Sequence, residues 1–240
     1  MKIVGMIRCK NEARWIERCL ASILPLCDQI VVLDDHSDDD TLARCQAMPK
    51  TYAFESPFEG LDEARDKNLL LSIAEEKYRA AWIIAIDGDE VLAPGSLDPL
   101  QMALHSPFSC LSLRVRYLWD REDQLRTDGV YGDFHRESVF RPNGAAFPHN
   151  SDGSNFHCGN VPPALRQKRA VLSQIELLHF GYLHREDRER KFAWYNARDP
   201  DNAREDRYRH MVIGDLFPAE SRFTHGGPLR LEPIAEMASR

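Results

Sequence analysis

Residues 80–90 read Ala80-Ala81-Trp82-Ile83-Ile84-Ala85-Ile86-Asp87-Gly88-Asp89-Glu90: seven apolar side chains, then three carboxylates within four positions. A short apolar run closed by a polar, glycine-containing turn reads as a strand buried on both faces, the kind found in parallel sheets covered by helices. Toward the N-terminus the same grammar repeats. Residues 3–7 form a short buried-strand pattern, and Asn11 stands where it would cap a helix. The apolar positions of that helix, Ile16, Cys19, Leu20, Ile23 and Leu24, keep helical spacing, and Pro25 stops it. Residues 30–33 are a second strand, ending in Asp34-Asp35-His36-Ser37. Ser37 and Asp40 have the spacing of a capping box opening a helix that runs through Met48. A third strand over 51–54 and a long helix over 61–78 lead back to the quoted run. Strands spaced by helices imply right-handed βαβ units, so the fold class is α/β with a mostly parallel central sheet flanked by helices.

The whole chain fits a folded, water-soluble protein. It has 240 residues, 43% of them hydrophobic, with a formal net charge of −7. That is enough apolar material for a core without staples, and too little charge excess for wholesale disorder. The acidic balance, with a pI near 5.7, argues against nucleic acid as a partner, since that needs a basic face. No apolar run approaches the roughly 20 residues of a membrane-spanning helix, which leaves peripheral membrane contact open. The start, Met1 to Gly5, runs straight into a strand pattern and lacks the features of a signal peptide. The six cysteines contain no C-x-x-C pair. They read as reduced thiols, so the expected compartment is the cytoplasm. His157-Cys158 has no second pair at ligand spacing, so zinc is not expected.

Beyond residue 92 the pattern changes. Residues 111–119 alternate apolar and polar as a half-buried strand, 137–141 form another, and 171–180 a third candidate. Residues 182–210 are crowded with charges of both signs, the mark of a solvated helix face, and the stretch after Pro218 is weakly patterned.

Two acidic clusters therefore end neighbouring strands on one sheet edge, where ligands of open α/β sheets bind. Asp87-Gly88-Asp89-Glu90 offers the oxygen donors that Mg²⁺ or Mn²⁺ share with substrate phosphates, or else is a soluble acidic turn. Asp34 and Asp35 can accept hydrogen bonds from a base or ribose, or else cap the next helix. Arg8, Arg65 and Lys67 are candidate countercharges for a diphosphate.

Taken together, four segments resemble a family 2 glycosyltransferase of the GT-A fold. They are Val4 to Glu12 with the helix reaching Ile23; Asp28 to Thr41; Ala64-Arg65-Asp66-Lys67-Asn68; and Trp82 to Glu90. The resemblance covers residues 1 to about 92. It implies a Rossmann-like fold with a mixed or antiparallel second half. Residues 1–92 would form the nucleotide-sugar-binding half, 93–217 the acceptor-binding half of the same domain, and 218–240 a C-terminal tail. It also implies an enzyme that moves a sugar with inversion from a nucleoside-diphosphate donor, a UDP-sugar first among them. The acceptor would be a hydroxyl on a glycan, lipid-linked sugar or small molecule, and the cofactor Mn²⁺ or Mg²⁺. By that resemblance Asn11 and Glu12 line the nucleotide pocket, Asp35 bonds the base, and Arg65 approaches the pyrophosphate. Asp87 meets the ribose or metal, Asp89 coordinates the metal, and His179, from the late region, closes the metal site. Two departures stand out: Asp66-Lys67 is inserted in the usual Ala-Arg-Asn, and Gly88 stands for a common Ala, a replacement expected to be neutral.

Departure of a diphosphate leaves the acceptor hydroxyl needing a general base, normally a carboxylate. Asp133 and Glu137, flanking His135-Arg136, are the candidates, with Asp152 behind them. Two alternatives compete. A nucleotidyltransferase of similar fold would normally carry a glycine-rich loop after the first strand, and Arg8-Cys9-Lys10-Asn11-Glu12 has no glycine. A catalytically silent nucleotide-sugar-binding module would need no acid on the acceptor side.

Overall fold

The computed structural model describes residues 1–149, 158–199 and 206–234. Along the chain the main elements are β1 (Ile3–Cys9), α1 (Ile16–Ile23), β2 (Gln29–Asp34), α2 (Thr41–Ala47), β3 (Thr51–Glu55), α3 (Glu63–Ser72), β4 (Trp82–Ala85), β5 (Glu90–Leu92) and α4 (Leu97–Ala103). They continue as β6 (Cys110–Trp119), β7 (Arg121–Arg126), β8 (Phe134–Phe140), β9 (Arg169–His179), α5 (Arg185–Arg198) and β10 (Leu231–Pro233). The chain forms two compact units, Met1–Arg114 with His135–Glu176, and Val115–Phe134 with Leu177–Arg240.

In the first unit β3, β2, β1 and β4 lie side by side in that order, all parallel, and β8 joins β4 antiparallel. The apolar runs that predict buried strands are buried: Val4, Ile7, Ile30, Val31, Val32, Leu33, Trp82 and Ile83 are fully enclosed. Helix α1 buries Ile16, Cys19, Leu20 and Ile23, an i, i+3, i+4, i+7 stripe. On the other side Ala64, Leu70, Leu71 and Ala74 of the α3 segment pack with Val31, Leu33, Ile83, Phe140 and Phe147. The register pairs Cys9 with Asp34 and Met6 with Ala85, so β1, β2 and β4 end on one edge.

Local expectations differ from the structure at two helix starts and one helix end. Asn11 does not cap α1; it sits at φ 55 and the helix begins at Ile16. An Asn tolerates that left-handed conformation because its short polar side chain bonds locally. The Ser37–Asp40 capping box does not form, because the Ser37 hydroxyl donates to Asp34 instead. The long helix over 61–78 ends its α-helical part at Ser72 and finishes as a π-turn over Ile73–Lys77.

In the second unit β6 and β7 form an antiparallel hairpin, and β10, within the segment expected to be weakly patterned, pairs antiparallel with β7. Trp119 is flanked by the guanidinium groups of Arg126 and Arg188, at 4.5 and 4.2 Å. Asp128 pairs with Arg126, and Asp120 and Asp215 with Arg188, so these buried cations are compensated. No helix of the described residues is long and apolar enough to cross a membrane.

Asn68 shows how α3 is fastened to the unit. Its side chain accepts from the Phe147 N–H (2.8 Å) and donates to the Phe147 carbonyl (2.9 Å), and Phe147 is buried. Asn68→Ala leaves two enclosed backbone groups unpaired, which costs about 1–3 kcal/mol for each group left unsatisfied. A lower denaturant midpoint at unchanged m-value is the expected outcome, and an unchanged midpoint would show that the clasp contributes nothing.

Candidate functional site

Three loops leave the carboxyl edge of the parallel strands, and their carboxylates are already partly committed. Asp34, fully buried, accepts from the Ser37 N–H (2.9 Å) and Ser37 hydroxyl (2.6 Å). Ser37 in turn accepts from the Asn11 N–H (2.8 Å), while the Asn11 side-chain oxygen accepts from Asp38 N–H (3.0 Å). The Glu12 N–H donates to the Thr41 hydroxyl at 2.8 Å. Asp34 thus fastens the turn and ties it to the Asn11–Glu12 loop, and its neighbour Asp35 is left facing a cation. Asp35 accepts from Arg8 Nη2 at 2.7 Å. The pair of aspartates divides into a structural and an electrostatic member.

Arg65 sits in the first turn of α3, which Asp62 caps by accepting its N–H at 2.9 Å. Its guanidinium reaches the carbonyls of Glu59 (3.2 Å) and Gly60 (2.8 Å) and lies 4.5 Å from the Phe58 ring centroid. The two residues that interrupt the Ala-Arg-Asn pattern turn inward. Asp66 meets both Arg8 and Arg65. Lys67 donates to the carbonyls of Cys158 (2.5 Å) and Gly159 (3.3 Å) and to Asn160 Oδ1 (3.0 Å). Arg65 therefore lines the edge, Asn68 serves the core, and the inserted pair lies between them.

At the third loop, Arg136 of β8 spans the acidic turn. It donates to Asp87 Oδ2 at 2.8 Å and pairs with the fully buried Glu90. Burial drives the Glu90 carboxyl up to about 7, against the pull of Arg136. Asn160 adds a weak contact to Asp87 Oδ1 at 3.4 Å and to the Ala85 carbonyl at 3.3 Å. Asp89 is buried, whereas the Asp87 side chain keeps 43% exposure. Asp87, Asp89 and Glu90 supply hard oxygen donors. Among the described residues, no group of three or more His, Cys, Asp or Glu side chains is disposed to hold a metal ion. The turn suits a cation that takes one or two carboxylates and completes its shell with phosphates and water, as Mg²⁺ and Mn²⁺ do. It does not suit a closed protein cage.

Adjacent residues of a strand face opposite ways, so Glu137 points away from the side on which Arg136 meets Asp87. It is paired with Arg169; burial raises its carboxyl, but the Arg169 hydrogen bond, a backbone N–H and the charges of Arg166 and Arg169 together hold it below the usual range. The structure thus brings Asp87, Asp89, Glu90 and Arg136 together, and Arg8, Asp35 and Arg65, but not Glu137 with either set. Asp133 is exposed in the second unit. His179 lies there too, its ring 5.0 Å from Tyr117 and 4.7 Å from Tyr182. Asp152 falls outside the described residues. The sequence reading missed Arg136, Asp66 and Asn160 as parts of the site. An arginine alternating into a buried strand was the available signal, but its partners lie 46 and 49 positions away.

Gly88 sits in close quarters at this turn. A Cβ there would lie 3.0 Å from Cys9 Cβ and 3.3 Å from both Glu12 Cγ and Ile16 Cδ1, so an alanine fits only if these neighbours give by a few tenths of an ångström.

The sequence profile described as glycosyl transferase family 2 matches residues 6–158. An uncharacterised glycosyltransferase of Rickettsia felis is 30% identical over 126 residues, 51% of this chain and 42% of that protein. A Rickettsia conorii counterpart is 28% identical over the same length and shares. The chain thus spans about two fifths of the length of the curated relatives it matches. Among solved structures, S. aureus TarS superposes with a TM-score of 0.53 at 15% identity, covering 93% of this chain and 44% of that one. A TarS fragment, 1–349, gives 0.52 at 16% identity, covering 88% and 70%. The shared architecture is the α/β GT-A fold.

Gly88→Ala is expected to destabilise the chain by about 1–3 kcal/mol, the range for overpacking a filled site. Thermal unfolding of the two proteins side by side measures it, and an equal or higher midpoint in the variant would mean that β1 gives way freely.

Proposed function

The chain belongs to glycosyl transferase family 2, and from that membership and its charged sheet edge we propose that it transfers a sugar from a nucleoside-diphosphate donor to a hydroxyl acceptor. The observation that carries this reading is the convergence of Arg8–Asp35, Arg65 and the Asp87–Glu90 turn on one edge of the first unit. Each group suits one part of a nucleotide sugar. A carboxylate such as Asp35 accepts an N–H from the base, and by family resemblance UDP-sugars are the proposed donors, uracil offering its N3–H. Asn11 and Glu12 border the same pocket from the loop that Ser37 and Thr41 hold. A guanidinium at Arg65 attracts the diphosphate. Asp87 and Asp89 are the proposed holders of Mn²⁺ or Mg²⁺. When bound, the cation would stabilise negative charge on the departing diphosphate as a Lewis acid.

Inverting transfer requires a base on the face of the sugar opposite the leaving group. Asp133 and Glu137, the latter paired with Arg169, are the proposed candidates for that base. Its task is to take the proton from the acceptor hydroxyl as the glycosidic bond forms.

Two measurements test the reading. Isothermal titration is expected to find tighter binding of UDP than of ADP, a preference that Asp35→Ala removes; tighter ADP binding would refute the base assignment. For the turn, Asp89→Ala is expected to lower donor turnover by about a hundredfold or more, the scale of losing one stabiliser of a developing anion. Its dependence on Mn²⁺ concentration should flatten as well. Wild-type metal response in a folded Asp89→Ala protein would remove Asp89 from the metal site.

A further inference from the structure

Asp66 lies in α3 where that helix meets the sheet edge, and it is 0% exposed. A carboxylate so enclosed is costly unless its oxygens are paired. Asp66 pairs both. Oδ2 accepts from Arg8 Nε at 2.9 Å, and Oδ1 accepts from Arg65 Nε at 3.0 Å with Arg65 Nη2 at 2.9 Å. The same Arg8 guanidinium donates through Nη2 to Asp35 Oδ2 at 2.7 Å. Asp35, Arg8, Asp66 and Arg65 therefore form one line of alternating charge. It begins at the carboxylate proposed to bind the base and ends at the guanidinium proposed to bind the diphosphate.

The planar fork of Arg8 makes this line stiff. Its Nε edge is fixed by Asp66 while another corner reaches Asp35, a geometry that a lysine point charge cannot reproduce. Without the Asp66 carboxylate, two guanidinium groups would share a buried space with no anion between them. Each would have to turn away, Arg8 toward Asp35 alone and Arg65 toward the Glu59 and Gly60 carbonyls it already touches.

We propose that Asp66 is a positioning residue that couples base recognition at Asp35 to diphosphate recognition at Arg65, through the two arginines it holds. It touches neither half of the nucleotide and sets the orientation of the groups that do. This rests on the donor reading above and goes beyond it by making the two halves of the pocket interdependent.

Isothermal titration of uridine and UDP, with melting curves alongside, tests it on the full chain. For Asp66→Asn we expect UDP affinity to fall by about tenfold or more, and the ratio of UDP to uridine affinity to shrink. A merely structural role would lower the melting temperature and leave that ratio as in wild type, which would overturn the proposal. Arg8→Lys, Arg65→Lys and the double variant supply a second test that survives if Asp66→Asn does not fold. Coupling predicts that the double variant loses less UDP affinity than the product of the two single losses, whereas independent effects multiply and would overturn the proposal. Wild-type protein that binds no nucleoside diphosphate would overturn the donor reading and this inference together. Wild-type binding with multiplicative losses would overturn the inference alone.

Discussion

Like charges gathered on one sheet edge are the constraint around which the first unit is arranged. Register alone brings the ends of β1, β2 and β4 together, and with them Asp34, Asp35, Asp87, Asp89 and Glu90. Carboxylates at this density repel one another, and several are cut off from water, so each needs a cation or a donor nearby. Ser37 serves Asp34, Arg8 serves Asp35, and Arg136 serves Asp87 and Glu90. A cation and a polyphosphate can join such a set without leaving buried charge uncompensated, and this is the physical basis of the donor reading.

The same constraint explains why the site is assembled from distant segments. A turn such as Asp87–Glu90 brings its own negative charge but no compensation, because neighbouring residues on one turn cannot surround each other. Arg136 arrives on β8, which runs antiparallel to β4 and so carries its middle residues past the acidic turn. Asn160 and Lys67 close the gap between that turn and α3. The buried pairs hold the edge in one arrangement, which is what recognition of a multi-part ligand requires.

Much of this was legible in the sequence, for reasons specific to the residues involved. Hydrophobic runs at 3–7, 30–33 and 80–86 mark strands because a parallel sheet buries both faces of its strands, and the α1 stripe follows from helical spacing. The acidic turns were readable because charge directly after a buried strand has few other places to go. Tertiary bonds were not readable. Ser37 could cap α2 or bond Asp34, and a 2.6 Å bond to Asp34, made in three dimensions, decides it. Glu137 and Arg136 look equivalent in sequence, yet strand alternation sends one to Arg169 and the other to the acidic turn. The tight surroundings of Gly88 were not readable either, because the nearest neighbour of a Cβ there is Cys9 of β1, far away in sequence.

The central claim is that this edge holds the diphosphate of a nucleotide sugar between Arg65 and the Asp87–Asp89 turn, with the base against Asp35. A crystal structure of the chain grown with Mn²⁺ and UDP, with data collected at the manganese absorption edge, tests it most directly. The account predicts an anomalous peak in contact with Asp89 and the diphosphate, and the uracil within hydrogen-bonding distance of Asp35. Manganese and nucleotide bound elsewhere, with Arg8, Arg65 and Arg136 unmoved and facing only their own carboxylates, would contradict it.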